Sequence, residues 1–375
     1  MLNPLIELEK YGQSFWLDNI SRELMTSGKL RKLIDEDGLK GMTSNPAIFE
    51  KAIGGSTSYD KEIERLSQLN QTATQIYERL AISDIQSAAD HLAPIYDKTD
   101  GEDGYVSLEV SPNLSDDTEG TIDEARRFWK DVNRNNVMIK IPATPAGIPA
   151  VEQLISEGLN INVTLLFSQE VYEEVAEAYQ RGLETRSSGG GKINRIASVA
   201  SFFISRIDTL VDSLLAEQIR LCSDPAKRKL LTNLIGKTAI ANGKLTYQRY
   251  KDIYSSPRWD FLTKKGARPQ RLLWASTSTK NPDYRDVCYV EELIGENTIN
   301  TLPDETLYAF RDHGQLSDSL EADLDEAAAI MISAEEVDIS MNQIAVQLVE
   351  EGIRKFVDPY TKLLDAIEKK REQLI

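Results

Sequence analysis

Short runs of β-branched and aliphatic residues recur along the chain, each followed by a longer stretch with apolar residues at i, i+3, i+4 and i+7. The short runs predict strands at 14–17, 41–43, 105–110, 137–141, 161–167, 196–202, 272–276 and 297–301. The longer stretches predict helices, among them 123–133, 148–157, 169–182 and 205–217. Strands that alternate with helices imply a parallel sheet, because a parallel neighbour needs a crossover connection and a helix supplies one. Eight such units over roughly 300 residues suit a closed (β/α)8 TIM barrel better than a doubly wound sheet. No GxGxxG follows a strand, so the dinucleotide-binding pattern is absent.

Three stretches depart from this rhythm. Residues 187–192 (SSGGGK) predict a flexible loop, since three consecutive glycines hold regular structure only at a high entropic cost. Residues 230–265 predict a long, mostly helical insertion between the sixth and seventh strands. From residue 316 the chain is acidic and helical (EADLDEAAAIMISAEEVD), and a basic-tipped helix at 357–372 follows. These are helical additions to a barrel, including a C-terminal extension. No internal repeat or long linker divides the chain, so residues 1–375 are expected to form one elaborated barrel.

Polar residues break the apolar pattern near the C-terminal ends of the predicted strands. They are Asp18 in FWLDN, Asn45 in MTSNP, Glu109 in VSLEV, Lys140 in VMIKIP, Asn162 and Thr164 in INVTLLF, Ser201 in VASFF and Ser276 in LLWAS. Each has a plain structural explanation; Asn45 before Pro46 could be a turn residue, and Ser201 a small filler of the core. Their convergence on one end of successive strands is harder to explain so, because that end carries the active site in this architecture.

Lys140 stands out. It lies among Val137, Met138, Ile139 and Ile141, in a strand expected to be buried. Desolvating an ammonium costs several kcal/mol, on the order of the effective penalty for any buried ion. One reading is a lysine that reaches a rim or pairs with Glu109 on the neighbouring strand. The other is a nucleophile whose neutral amine, favoured by burial, attacks a carbonyl while nearby carboxylates move protons.

Composition narrows the chemistry. The chain has 60 acidic against 43 Lys and Arg residues, a net charge of −17, which argues against sequence-independent nucleic-acid binding. A pocket for a small anion needs only one or two local cations and stays compatible with that charge. Two histidines, His91 and His313, disfavour His-rich metal sites and a His-centred triad. Cys222 and Cys288 suggest reduced thiols rather than a disulfide framework. No apolar stretch is long enough for a membrane span, and the N-terminus lacks a signal-peptide pattern, so a cytoplasmic protein is expected.

The segments GMTSNPAIF, VSLEVSPNLSDD, VMIKIPATPAGIPAVEQL, INVTLLFS, SVASFFISRID, LLWASTSTKNP and NTINTLPDETLYAFRDHG resemble the transaldolase family, in order from about Phe15 to Gly314. The length and ASTSTKNP point to its longer bacterial subfamily. The resemblance implies transfer of a dihydroxyacetone unit between sugar phosphates in the pentose phosphate pathway, with no cofactor and no metal. By motif position, Lys140 would form a Schiff base with the ketose, and Asp18 would exchange the proton of the C4 hydroxyl. Glu109 would act as acid and base in imine formation through a water that Thr164 helps to hold. Asn45, Asn162 and Ser201 would bind the hydroxyls of the three-carbon unit, Phe203 would shield the enamine, and Arg206 would bind phosphate.

Ser276 is carried over as a substrate-binding residue. A second arginine is expected two residues after it, but the chain has Ser278 there, and Lys280 is the nearest cation. For Arg206 the plain alternative is a solvated arginine pairing Asp208 or Asp212; for Phe203 it is ordinary core. Two other functions stay open: a fructose-6-phosphate aldolase that releases free dihydroxyacetone, or a barrel that binds sugar phosphates without turnover. The expected partners are small-molecule sugar phosphates, with neither nucleic acid nor membrane, and a homodimer is a candidate assembly.

Overall fold

The computed structural model describes residues 3–374. Eight strands close into a parallel barrel in chain order, β1 (Gln13–Leu17), β2 (Gly41–Met42), β3 (Val106–Glu109), β4 (Val137–Pro142), β5 (Ile161–Leu166), β6 (Ser198–Phe203), β7 (Arg271–Ala275) and β8 (Thr298–Leu302), with β8 returning to β1. All eight expected strands are present, within a residue or two at their ends. Nearly every strand residue is buried, on both faces, as a barrel wrapped in helices requires. β2 is the shortest, and it begins with a glycine because the Trp16 indole crosses it: a Cβ at Gly41 would lie 2.5 Å from that ring.

Helices Ala73–Lys98, Thr118–Val132, Gly147–Glu157 and Gln169–Ser188 provide the crossovers from β2 to β6. Their starts follow from capping: Asp117 accepts from Gly120 N and Ser168 from Val171 N. Between β6 and β7 run Ser205–Leu221, Pro225–Leu234, Thr238–Tyr254 and Pro257–Thr263, so the insertion expected at 230–265 is mostly helical. The helix after β5 extends through Ser188, into the stretch expected to be a loop; the glycines at 189–191 and Lys192 lie outside it.

The larger correction is at the C-terminus. The basic-tipped helix does not begin at 357; it runs from Met341 to Leu374 and contains Pro359. At 1.5 Å per residue it is about 50 Å long. It packs against β5 and Ser205–Leu221 on one side and against Pro46–Phe49, Asp60–Gln68 and Ala73–Lys98 on the other. Buried Leu348, Phe356, Tyr360, Leu363 and Ile367 hold it there. The helix therefore crosses the barrel at the end where the strands' C-termini emerge.

The opposite end is sealed. Asp103 accepts from Ser14 Oγ at 2.6 Å and Trp16 Nε1 at 3.0 Å, and pairs Arg271 at 3.4 Å. Gln270 donates to Ser198 Oγ at 2.8 Å. Polar groups toward this end of the barrel thus bond to one another.

Candidate active site

The largest described cavity, about 700 Å³, opens at the C-terminal end of the barrel. Nine of the eleven residues singled out in the sequence line it: Asp18, Asn45, Lys140, Thr164, Ser201, Phe203, Arg206, Ser276 and Lys280. Glu109 and Asn162 lie just behind its wall. Strand register explains the centre, for Glu109 is level with Lys140, and Lys140 with Asn162.

Lys140 is only 4% exposed, yet its amine faces the cavity. Nζ donates to Glu109 Oε2 and to the Ser44 carbonyl, each at 3.1 Å, and lies 5.3 Å from the centroid of the Phe356 ring. The ion pair considered for this lysine thus exists, and it also aims the amine. Burial pushes the Glu109 carboxyl above the usual range against the pull of the Lys140 charge. Asp18 is likewise raised by burial, while Lys140, the hydrogen bond from Thr43 and Arg206 act the other way. The Thr43 hydroxyl lies 2.7 Å from both Asp18 Oδ1 and Thr301 Oγ1.

β5 is irregular where it meets the cavity. Its register against β6 shifts between Val163 and Leu166, which places one extra residue on β5. Leu165 absorbs the bulge at φ +64°, a left-handed conformation that a leucine adopts at a cost on the order of 1–2 kcal/mol. The neighbouring Thr164 lines the cavity, and its buried hydroxyl has no hydrogen-bond partner among the described residues.

Ser201 Oγ donates to Asn162 Oδ1 at 2.7 Å, and Asn162 Nδ2 donates to Ser107 Oγ at 2.9 Å. Asn162 therefore holds Ser201 in place from behind. Asn45, whose plain reading is a turn residue, caps the short helix Pro46–Phe49: Oδ1 accepts from Ile48 N at 3.1 Å. Its residue still borders the cavity.

Arg206 does not pair Asp208 or Asp212. Asp208 accepts from Ala239 N and Tyr289 Oη, and Asp212 from Gly236 N and Tyr284 Oη. The Arg206 guanidinium lies 4.9 Å from the centroid of the Phe203 ring, and its buried Nη1 has no partner among the described residues. Phe203 also packs on Phe167, with ring centroids 5.4 Å apart. Ser276, at φ +54°, meets the Ser205 hydroxyl at 3.0 Å. Lys280 is exposed, with its ammonium 2.7 Å from Ser278 Oγ, and also borders a second cavity that includes Lys51, Ser56 and Asp304.

Sequence reasoning missed Thr43 and Thr301, and it missed a whole wall formed by Leu348, Glu351, Lys355 and Phe356 of the C-terminal helix. Their 3–4 residue spacing was the available signal. Among the described residues no cluster of His, Cys, Asp and Glu is arranged to hold a metal ion, and no helix is long and apolar enough to cross a membrane.

Residues 15–367 match the family model described as transaldolase/fructose-6-phosphate aldolase. The chain is 49% identical to a transaldolase of Trichodesmium erythraeum over 99% of its own length and 98% of the relative's. It is 48% identical to transaldolase 2 of Nostoc punctiforme, covering 98% of this chain and 97% of that one, and 46% identical to a transaldolase of Thiobacillus denitrificans, covering 98% and 100%. With a buried lysine and its carboxylates at the mouth of an eight-stranded barrel, and relatives matched from end to end, this chain belongs to the transaldolase/fructose-6-phosphate aldolase family.

Proposed function

We propose that the protein is a transaldolase that moves a dihydroxyacetone unit from sedoheptulose 7-phosphate or fructose 6-phosphate to glyceraldehyde 3-phosphate or erythrose 4-phosphate. The carrying observation is the Lys140 amine, buried, hydrogen-bonded to Glu109 and facing the cavity that Asp18 lines.

Burial raises the Glu109 carboxyl beside the Lys140 ammonium, and moving the proton from ammonium to carboxylate yields a neutral amine beside a neutral acid. The amine attacks the ketose C2, and Glu109 returns the proton as the carbinolamine loses water. Thr164 Oγ1, without a partner among the described residues, is suited to hold that water. Asp18 then takes the C4 hydroxyl proton. The C3–C4 bond breaks, and its electrons flow to the iminium nitrogen to give an enamine. The aldose leaves, and the acceptor aldehyde forms the new C–C bond while Asp18 gives its proton back. Hydrolysis of the iminium frees Lys140.

Ser201, Asn45 and Ser276 offer hydroxyl and amide contacts to the three-carbon unit, with Asn162 behind Ser201. Phe203 covers the enamine with an apolar ring and brings no hydroxyl to protonate it, which favours transfer over release of free dihydroxyacetone. Arg206 stands in the first turn of Ser205–Leu221, where the helix dipole also favours a phosphate. Lys280 is the cation proposed from the loop after β7.

Borohydride reduction in the presence of fructose 6-phosphate should trap a three-carbon adduct on Lys140 alone. Recovery of the label on Lys192 or Lys280 would sink the assignment. Product formation that needs erythrose 4-phosphate separates transfer from simple cleavage.

A further inference from the structure

Arg206 by itself leaves a phosphate under-compensated. A phosphate monoester carries about −1.5 to −2 charge near neutral pH, and the protein around it carries −17. Asp18 and Glu351 both border the same cavity. One guanidinium supplies a single positive charge, and its Nη1 remains without a partner among the described residues.

The C-terminal helix brings another cation to that corner. Leu348, Glu351 and Lys355 recur at i, i+3 and i+7, with Phe356 beside them, so one stripe of this helix faces the cavity. Gly352 lies in the same turn, where a Cβ would sit 3.5 Å from Arg206 Nη1. The helix backbone thus runs beside the unpartnered guanidinium nitrogen, and Lys355 follows less than one turn later. The Lys355 side chain is 57% exposed and meets Glu351 at 3.6 Å, a loose i,i+4 pair that a stronger anion can replace. Lys280 reaches the cavity from a different wall and is already engaged with Ser278.

We propose that Lys355 is a specificity-determining residue that joins Arg206 in binding the substrate phosphate, while Glu351 holds its ammonium at the cavity edge between turnovers. This rests on the sugar-phosphate reading above. It assigns a substrate contact to a region that carries none of the family-like motifs. It also makes Glu351 a competitor, since its carboxylate occupies the cation that the phosphate needs.

The test measures inorganic phosphate binding by calorimetry, which is independent of turnover, beside KM for fructose 6-phosphate and borohydride trapping with free dihydroxyacetone. Lys355→Ala should weaken phosphate binding and raise KM for fructose 6-phosphate by about 10-fold, the lower end for a charge-assisted contact. Trapping with dihydroxyacetone should keep its wild-type rate, and Lys355→Arg should largely restore the phosphate terms. Glu351→Gln should shift phosphate affinity the other way, about two- to fivefold tighter, as loss of a competing exposed ion pair implies. A merely structural role for the pair cannot produce opposite signs. Phosphate affinity within twofold of wild type in Lys355→Ala, or weaker binding in Glu351→Gln, overturns the proposal. Wild-type protein that binds phosphate through Lys355 but is never trapped by dihydroxyacetone overturns only the Schiff-base reading.

Discussion

Lys140 and Glu109 form an ion pair almost wholly removed from water, and such pairs are poor stabilisers because desolvation offsets most of their attraction. On the proposed mechanism their value is chemical, since burial raises the Glu109 carboxyl that receives the proton. In that proposed mechanism Asp18 has a different duty and must be ionised before it can accept the C4 proton. Burial raises its pKa, so the acid limb of kcat should lie above the ordinary carboxylate range, with activity lost as pH falls through it. Asp18→Asn should still be trapped with dihydroxyacetone but should cleave fructose 6-phosphate about 10²–10⁴-fold more slowly. Near-normal turnover in that variant would hand the role of base to another group. At this scale the sequence was informative about residue type and position along a strand, because a polar residue in an apolar run has few reasons to be there. It was silent on which hydrogen bonds close behind the wall. Asn162, expected as a substrate contact, also hydrogen-bonds Ser107 and Ser201 and so braces the wall. Thr43, an ordinary polar residue at a strand end, carries no such signal although it hydrogen-bonds Asp18.

The strands were legible because β-branched runs with short spacings allow little else. The C-terminal helix was not, for two reasons visible in its sequence. Gly352 and Pro359 both weigh against a continuous helix, and the charged residues around them mask the buried stripe of Ile344, Leu348, Phe356 and Leu363. Tertiary packing overrides both breakers. Pro359 forfeits only the bond to the Lys355 carbonyl. Gly352 is needed, since a Cβ there would lie 2.7 Å from the side chain of Leu165, the residue that carries the β5 bulge. Gly352→Ala sets a helix-propensity gain of about 1 kcal/mol against an overpacking cost of about 1–3 kcal/mol, so the melting temperature should fall only modestly. The larger effect should be kinetic, because the helix must move off the Arg206 corner. KM for phosphorylated substrates is expected to rise while dihydroxyacetone trapping changes little. Unchanged kinetics would mean that Leu165 yields instead of the helix.

Across the whole molecule, another buried acid couples stability to pH without taking part in catalysis. Asp208 accepts from Ala239 N at 2.7 Å and from Tyr289 Oη at 2.9 Å, tying the helix after β6 to Thr238–Tyr254 and to the chain before β8. Burial lifts its pKa from 3.8 to about 7, helped by the nearby Asp212 charge. The folded state therefore holds this proton more tightly than the unfolded chain does. Its contribution is complete below 3.8 and is lost as pH rises through about 7, by at most about 4 kcal/mol. Asp208→Asn keeps an oxygen for Ala239 N and cannot ionise. Its melting temperature relative to wild type should rise between pH 5 and pH 8 in scanning calorimetry. An equal difference at both pH values would exclude this linkage.

The C-terminal helix that forms one wall of the cavity also sets an order of events during synthesis. All eight strands, with Lys140, Glu109 and Asp18, leave the ribosome before residues 341–374 do. Until then Lys140, Glu109 and Asp18 are without Glu351, Lys355 and Phe356 beside them. On the proposed role of Lys355, competence for phosphorylated sugars arrives only with this helix. For the same reason, fusion partners and affinity tags belong at the other end of the chain.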